Sequence, residues 1–238
     1  MKKKDRDIHK KFIAEGLKTI KEGLNSSYSC EAVLMTLEYE ALNKEFPRKY
    51  NVPLEIVNEE DFNMLTDTVT PQGLVAVFNY PPAKDVNKIK SRLIVCLENI
   101  SDPGNVGTII RNCDWFGVTE IVLSKNCADA FSPKTIRSSM GSIFHVNIYD
   151  ETELSTFVEE YKKKGYRSLC ADTEGEDLYT FEAEGRDIVI LASEAHGPSV
   201  DILRLSDHRI TIPKYGQGES LNVASASAVI LSRLAIKL

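Results

Sequence analysis

One tryptophan, four histidines and five cysteines are all that the 238 residues hold of these types. The cysteines (Cys30, Cys96, Cys113, Cys127, Cys170) are odd in number and scattered, with no Cys-x-x-Cys pair. A disulfide framework uses an even set and a structural zinc site uses close pairs, so buried reduced thiols are expected and no metal. The histidines (His9, His145, His196, His208) offer no ligand pair. Long apolar runs are also missing. The stretches at 93–97 and 188–192 fall far short of the ~20 residues of a membrane helix. No apolar run follows Met1, so the expectation is a soluble, cytoplasmic protein with no signal peptide and no membrane partner.

Several common chemistries are absent as well. There is no G-x-x-x-x-G-K-[ST] phosphate loop, and Gly104 with Gly107 gives only G-x-x-G in place of a dinucleotide fingerprint. The run Ser193-Glu194-Ala195-His196-Gly197 lacks the G-x-S-x-G elbow, and adjacent residues cannot form a triad because their side chains diverge. Simple hydrolase and metalloenzyme chemistries are therefore weak readings.

What is present is an ordinary globular composition, 42% hydrophobic and 27% charged, which excludes disorder and fibres. Twenty-nine basic against 35 acidic residues give a formal charge of −6, which argues against coating nucleic acid by bulk positive charge. The charge is uneven. Residues 151–187 hold eleven acids and five bases, read as a solvated face turned away from any polyanion. The first 24 residues hold eight bases and four acids, read as free to meet phosphate.

Pro81-Pro82 breaks the chain into two units, 1–80 and 81–238. In the first, the spacing of Phe12, Ile13, Leu17, Ile20 and Leu24 predicts a helix over 10–24, with short strands at 32–34, 54–57 and 74–78. In the second, apolar runs at 93–97, 120–123, 144–148, 168–171, 188–192 and 209–212 alternate with helices at 106–116, 153–163 and 200–205. That alternation predicts an α/β fold with a mainly parallel sheet. A buried helix is expected over 222–238.

Three polar, glycine-containing segments follow strands of the second unit, where ligand sites of open α/β sheets lie. They run from Leu97 to Cys113, from Val189 to Gly197 and from Ile210 to Ala226. The pattern N-x-x-x-x-x-N-x-G-x-x-x-R from Asn99 to Arg111, Ala192-Ser193-Glu194 with Gly197, and Ile212-Pro213 before Ser220-Leu221-Asn222-Val223-Ala224 together resemble the SpoU/TrmH family of RNA ribose 2′-O-methyltransferases. The stretch from Ser132 to Gly141 is similar to a further family segment. Phe12-Ile13-Ala14-Glu15-Gly16 and Val69-Thr70-Pro71-Gln72-Gly73-Leu74 resemble the family's ribosomal-protein-like substrate-binding domain.

The resemblance implies methyl transfer from S-adenosylmethionine to a ribose 2′-hydroxyl, ribosomal RNA being favoured over transfer RNA. It implies a small N-terminal α/β substrate-binding domain, a C-terminal catalytic domain tied in a deep trefoil knot, and a homodimer formed through the catalytic domain. By motif position, Asn105, Arg111, Glu194, Ser220 and Asn222 would be catalytic. Ala192, Ser193, Gly197, Ile212, Pro213, Gly218 and Leu221 would hold the cofactor, with Gly216 also bending the loop. Arg111 and Arg137 would meet RNA. Arg111 would remove the 2′-proton with help from a phosphate, or bind the phosphate and stabilise developing charge. Glu194 would position Arg111 or Asn105. Arg111 lies a turn and a half beyond Asn105, so the two roughly share a helix face. Residue types alone allow a solvated arginine, an Asn105 cap, and Ser220 and Asn222 as caps of the final helix. Many members carry glycine at Ala192, and glycine within the pair replaced by Ala195-His196, so tuned cofactor affinity is expected. The competing classes are a non-catalytic RNA-binding assembly factor and a base methyltransferase. Intact motif residues argue against the first.

Overall fold

Phe12 and Ala14 are fully buried while their neighbours Lys11, Ile13 and Glu15 are half-exposed, a period of two that makes 11–15 a strand. The computed structural model describes residues 3–43, 46, 49–66, 68, 70–182 and 185–235. Lys2, Val69, Glu184 and the expected helix end at 236–238 lie outside the described residues. The first unit contains α1 (Lys3–His9), β1 (Lys11–Glu15), α2 (Leu17–Leu24), β2 (Cys30–Thr36), α3 (Leu37–Leu42), β3 (Leu54–Val57), α4 (Glu59–Leu65) and β4 (Leu74–Asn79). The second opens with β5 (Leu93–Glu98), α5 (Pro103–Trp115), β6 (Glu120–Ser124), α6 (Pro133–Ser139), β7 (Asn147–Thr152) and α7 (Leu154–Lys163). It closes with β8 (Arg167–Asp177), β9 (Asp187–Ala192), α8 (Val200–Leu205), β10 (His208–Thr211) and α9 (Val223–Leu234).

Two sheets result. The first is mixed, in the order β1-β4-β2-β3, and the second is parallel, in the order β10-β8-β9-β5-β6-β7. Central β5 is buried at every position because helices cover both faces of a parallel sheet, which explains its unbroken apolar run. No helix of the described residues is long and apolar enough to cross a membrane.

Three expectations are corrected. The helix over 10–24 is a strand followed by a helix. The pair Ile13/Leu17 mimics helical spacing, but Gly16 turns the chain at φ 90° and β1 pairs antiparallel with β4. The strand over 144–148 begins only at Asn147, because Phe144 ends a 3-10 turn and is drawn against Phe78, with ring centroids 4.9 Å apart. The final helix starts at Val223 with Asn222 as its cap.

The Pro81-Pro82 break interrupts the sequence but not the packing. Phe12 and Tyr80 of the first unit lie 5.0 and 4.6 Å from Phe131 of the second, and one buried apolar cluster runs through both. Arg6 of α1, buried, pairs with Asp129, and Lys3 pairs with Glu151. These α1 cations are thus engaged by carboxylates, contrary to the expectation that they are free for phosphate.

Helices α5 and α6 meet at Gly107, where an added Cβ would lie 2.5 Å from the Thr135 carbonyl oxygen and 2.6 Å from the Ser138 Cβ. Backbone cannot yield as a side chain does, so Gly107→Ala is expected to cost about 1–3 kcal/mol. Calorimetry should register a lower melting temperature, and an unchanged one would refute this account of the contact.

Candidate active site

The first segment is positioned by its turn and its cap. Asn99 leaves β5 at φ 55°, its N–H donating to Ser124 Oγ at 2.9 Å and its carbonyl side chain accepting from Asn126 Nδ2 at 3.1 Å. Asn99 therefore shapes the turn. Asp102 then caps α5, accepting from the Asn105 N–H at 2.9 Å, and Pro103 fits the first turn, where its missing N–H is not needed. Lys134 of α6 donates to Asp102 at 2.8 Å, and this bond, with the Asn105 N–H, holds the Asp102 carboxyl below the usual range.

The second segment hangs from the neighbouring strand. Ser193 N–H donates to the Glu98 carbonyl at 3.0 Å and Ser199 N–H to the Glu98 carboxylate at 3.1 Å. Between them Gly197 sits at φ 64°, a conformation that disfavours a side chain, and its N–H closes the turn on Ser193 O at 2.8 Å. Gly216 and Gly218 have neither positive φ nor a neighbour that a Cβ would meet.

Glu194, Asn105 and Asn222 come together. Glu194 Oε1 accepts from the Val223 N–H at 2.7 Å, from Asn222 Nδ2 at 2.8 Å and from Asn105 Nδ2 at 3.4 Å. Asn222 Nδ2 also donates to Asn105 Oδ1 at 3.1 Å, while its own Oδ1 caps α9 through the N–H groups of Ala224 and Ser225 at 3.0 and 3.2 Å. A carboxylate at the N-terminus of α9 is also favoured by the helix dipole. Asn112, which directly follows the first motif and has no role assigned from sequence, donates to Ala224 O and Ser227 Oγ, both at 2.9 Å, and so binds α5 to α9.

Beside this junction lies a cavity of about 510 Å³. Ala192, Ser193, Glu194, Gly197, Ile212, Pro213, Gly218, Ser220 and Leu221 all line it. Asn222, and not Ser220, is the cap of α9. Ala171, Asp172 and Thr173 of β8 line it too and were missed, since no local pattern marks them. The volume suits a cofactor-sized ligand. Leu191, Ile212, Leu221 and Ile230 provide apolar wall, while Asp172, Glu194 and Glu219 provide carboxylates and Lys214 one ammonium group. Apolar walls fit an adenosyl group and carboxylates fit a cationic one, so the donor set suits a sulfonium cofactor.

Two expected residues stand apart. Arg111 is exposed, does not line the cavity, and makes no hydrogen bond or ion pair among the described residues. The shared face expected for Asn105 and Arg111 is corrected: six residues at about 100° each leave them about 120° apart around α5. Glu194 thus engages Asn105 and not Arg111. Arg137 is half-buried on α6 with its Nη1 atom enclosed and unpartnered. The acidic stretch is likewise not a uniformly solvated face: Asp187 is buried against Arg167 Nε at 2.9 Å, and Asp172 faces the cavity.

Two family descriptions match this chain, the SpoU rRNA Methylase family over residues 92–232 and the MRM3-like substrate binding domain over residues 1–76. The 23S rRNA (guanosine(2553)-2′-O)-methyltransferase RlmP of Bacillus subtilis is 31% identical over 235 residues, 98% of this chain and 91% of that protein. The mitochondrial rRNA methyltransferase 3 of Xenopus laevis is 30% identical over 300 residues, 96% of this chain and 70% of that protein. Among solved structures, the AdoMet-bound rRNA methyltransferase of Sinorhizobium meliloti superposes with a TM-score of 0.85 at 26% identity, covering 100% of this chain and 91% of that one.

The Asp102 cap has a pH signature. Its lowered folded-state value means that its contribution is complete above the unfolded carboxylate range, near pH 4, and is lost as pH falls through the folded value. Asp102→Asn, which keeps a cap but not the charge, should lower stability at pH 7, flatten the acid limb of a denaturation-versus-pH series and converge with the wild type at low pH. An unaltered limb would show that the Lys134 contact carries no such contribution.

Proposed function

The chain belongs to the SpoU rRNA methylase family and is an S-adenosylmethionine-dependent RNA ribose methyltransferase; on that premise we propose how its own residues share the work and which RNA it takes. The substrate in this reading is ribosomal RNA, in keeping with the two relatives whose names specify it. Residues 1–80 form the RNA-binding unit and 81–238 the catalytic unit. The protein works in the cytoplasm as a homodimer. The trefoil knot belongs to the same reading, supported by the return of the chain from β10 to Glu194 and α5 through Val223 and Asn112.

The observation that carries the assignment is the junction of Glu194, Asn105 and Asn222 at the rim of the cavity. Ala192, Ser193, Gly197, Ile212, Pro213, Gly218 and Leu221 hold the cofactor, which when bound supplies an electrophilic methyl group on a sulfonium sulphur. Glu194 fixes the orientation of both asparagine amides by accepting from each. Asn105 and Asn222 then orient the ribose, and Ser220, exposed on the loop at the cavity, contacts the same substrate. Ala192 places a methyl group on the cavity wall where many relatives have none, which tunes affinity.

Arg111, exposed and without a protein partner among the described residues, is suited to an RNA phosphate. A guanidinium stays protonated at neutral pH, so its physical role is to bind the phosphate and stabilise negative charge developing on the 2′-oxygen. Arg137 supports backbone contact from the adjoining α6. Dimerisation finds support in the same surface: Trp115, four residues after Arg111 on α5 and 82% exposed, is apolar area for a partner to cover.

Nuclease digestion and mass spectrometry of RNA from a deletion strain should show one 2′-O-methyl nucleoside missing from ribosomal RNA. A missing base-methylated nucleoside, or a loss confined to transfer RNA, would overturn the substrate assignment. Arg111→Ala should lower kcat/KM by about 10²–10³-fold and leave cofactor affinity unchanged in titration. A near-wild-type rate would remove Arg111 from the reaction.

A further inference from the structure

The cavity has a wall whose position is decided outside the three motif segments. Strand β8 follows β10 in register as far as Cys170 opposite Arg209, but the next residue of β10, Ile210, lies opposite Glu176. Residues 171–175 therefore have no ladder partner and form a five-residue bulge. Its first three residues, Ala171, Asp172 and Thr173, face the cavity. A segment without ladder partners depends on side chains to fix it, and here they do. Arg209 donates to Asp172 Oδ2 twice, from Nε at 3.0 Å and from Nη2 at 2.7 Å, and the Asp172 side chain is only 14% exposed. Thr211 Oγ1 donates to the Thr173 carbonyl at 3.2 Å. At the far end Gly175 lies so close to β10 that a Cβ would be 2.5 Å from the Arg209 carbonyl oxygen.

We propose that Arg209 is a positioning residue of the cofactor site: its two-bond grip on Asp172 sets the 171–175 bulge as the outer wall of the cavity. The inference rests on the cavity being the S-adenosylmethionine site. Arg209 does not itself line that cavity, so its effect is transmitted through Asp172. Exposed ion pairs contribute little stability on average. The consequence of this one is geometric, because a wall displaced by an ångström weakens a close-fitting ligand far more than it weakens the fold. The second carboxylate near Arg209, Glu174 at 3.5 Å, is 85% exposed and does not face the cavity. It serves as a control of like charge.

The test is calorimetric titration of the full chain with S-adenosylhomocysteine, the unreactive product, alongside filter binding of ribosomal RNA. Arg209→Ala and Asp172→Asn should each raise the Kd for S-adenosylhomocysteine about tenfold. Arg209→Lys, keeping the charge but not the fork, should fall between, and Glu174→Gln should match the wild type. RNA affinity should be unchanged in all four, and in turnover the KM for S-adenosylmethionine should rise with kcat retained. An unaltered Kd in Arg209→Ala and Asp172→Asn, an equal shift in Glu174→Gln, or a fall in kcat without a change in KM would overturn the proposal. If Arg209→Ala does not fold, Arg209→Lys decides the matter, because Asp172→Asn also removes a carboxylate from the cavity wall. A wild-type protein that fails to bind S-adenosylhomocysteine would overturn the cofactor reading itself, a result separate from any difference among variants.

Discussion

One carboxylate oxygen, Glu194 Oε1, joins three pieces of chain that lie far apart in sequence. It accepts from the first residue of α9, from the asparagine that caps that helix, and from the asparagine in the first turn of α5. The Val223 donor is a backbone N–H at a helix start, where the first N–H groups have no intrahelical acceptor, and the other two are side-chain amides of asparagines at the starts of α9 and α5. The need to satisfy those starts and the need to orient two amides at the cavity are met by the same atom. Removing the charge would therefore loosen the helix entry and the site together, which is why capping and catalysis are not rival accounts of Asn222.

Much of the remaining architecture keeps that junction in place. Strand β5 delivers Glu98, whose backbone and side chain hold both ends of the loop carrying Glu194. Asp102 and Lys134 fix the start of α5, Gly107 lets α6 close against it, and Asn112 fastens its second half to α9. The aromatic cluster of Phe12, Tyr80, Phe131 and Phe144 then seats the first unit directly on the α6 region. Substrate-binding and catalytic units thus share one buried core, so the distance between them is set by packing and not by the length of the Pro81-Pro82 segment.

Legibility followed the physics of each element. Strands β5 and β9 could be read because a parallel strand covered on both faces is apolar throughout, and the motif residues because they stand in the order and spacing of the family they resemble. Strand β1 could not, since Phe12, Ile13 and Leu17 satisfy helical and extended spacing equally until the pairing with β4 decides. Phe144 was assigned to a strand on apolarity alone, whereas a tertiary aromatic cluster claims it. The placement of Arg111 relative to Asn105 was arithmetic in the helix period, and a spacing of six is not a shared face. The bulge at 171–175 was invisible for a different reason. Read from sequence, that strand ends at 171, before the poor strand formers Asp172 and Gly175, and the return to the ladder at Glu176 is set by β10, some 35 residues later in the chain.

The formal charge of −6 takes on a different meaning once partners are assigned. Several acids of the 151–187 stretch are matched nearby, Asp172 by Arg209, Asp187 by Arg167 and Glu160 by Lys163. Several cations of the N-terminus are matched too, Lys3 by Glu151, Arg6 by Asp129 and Lys11 by Glu31. Neither end acts as the block of bare charge that a residue count implies. Nucleic-acid affinity draws on cations that release counterions from phosphate, and a cation already held by a carboxylate contributes less to that release. Arg111, Lys4, Lys10, Lys18 and Lys21, exposed and in no ion pair among the described residues, remain available. These groups lie on both units, and the shared core fixes the separation at which they are presented.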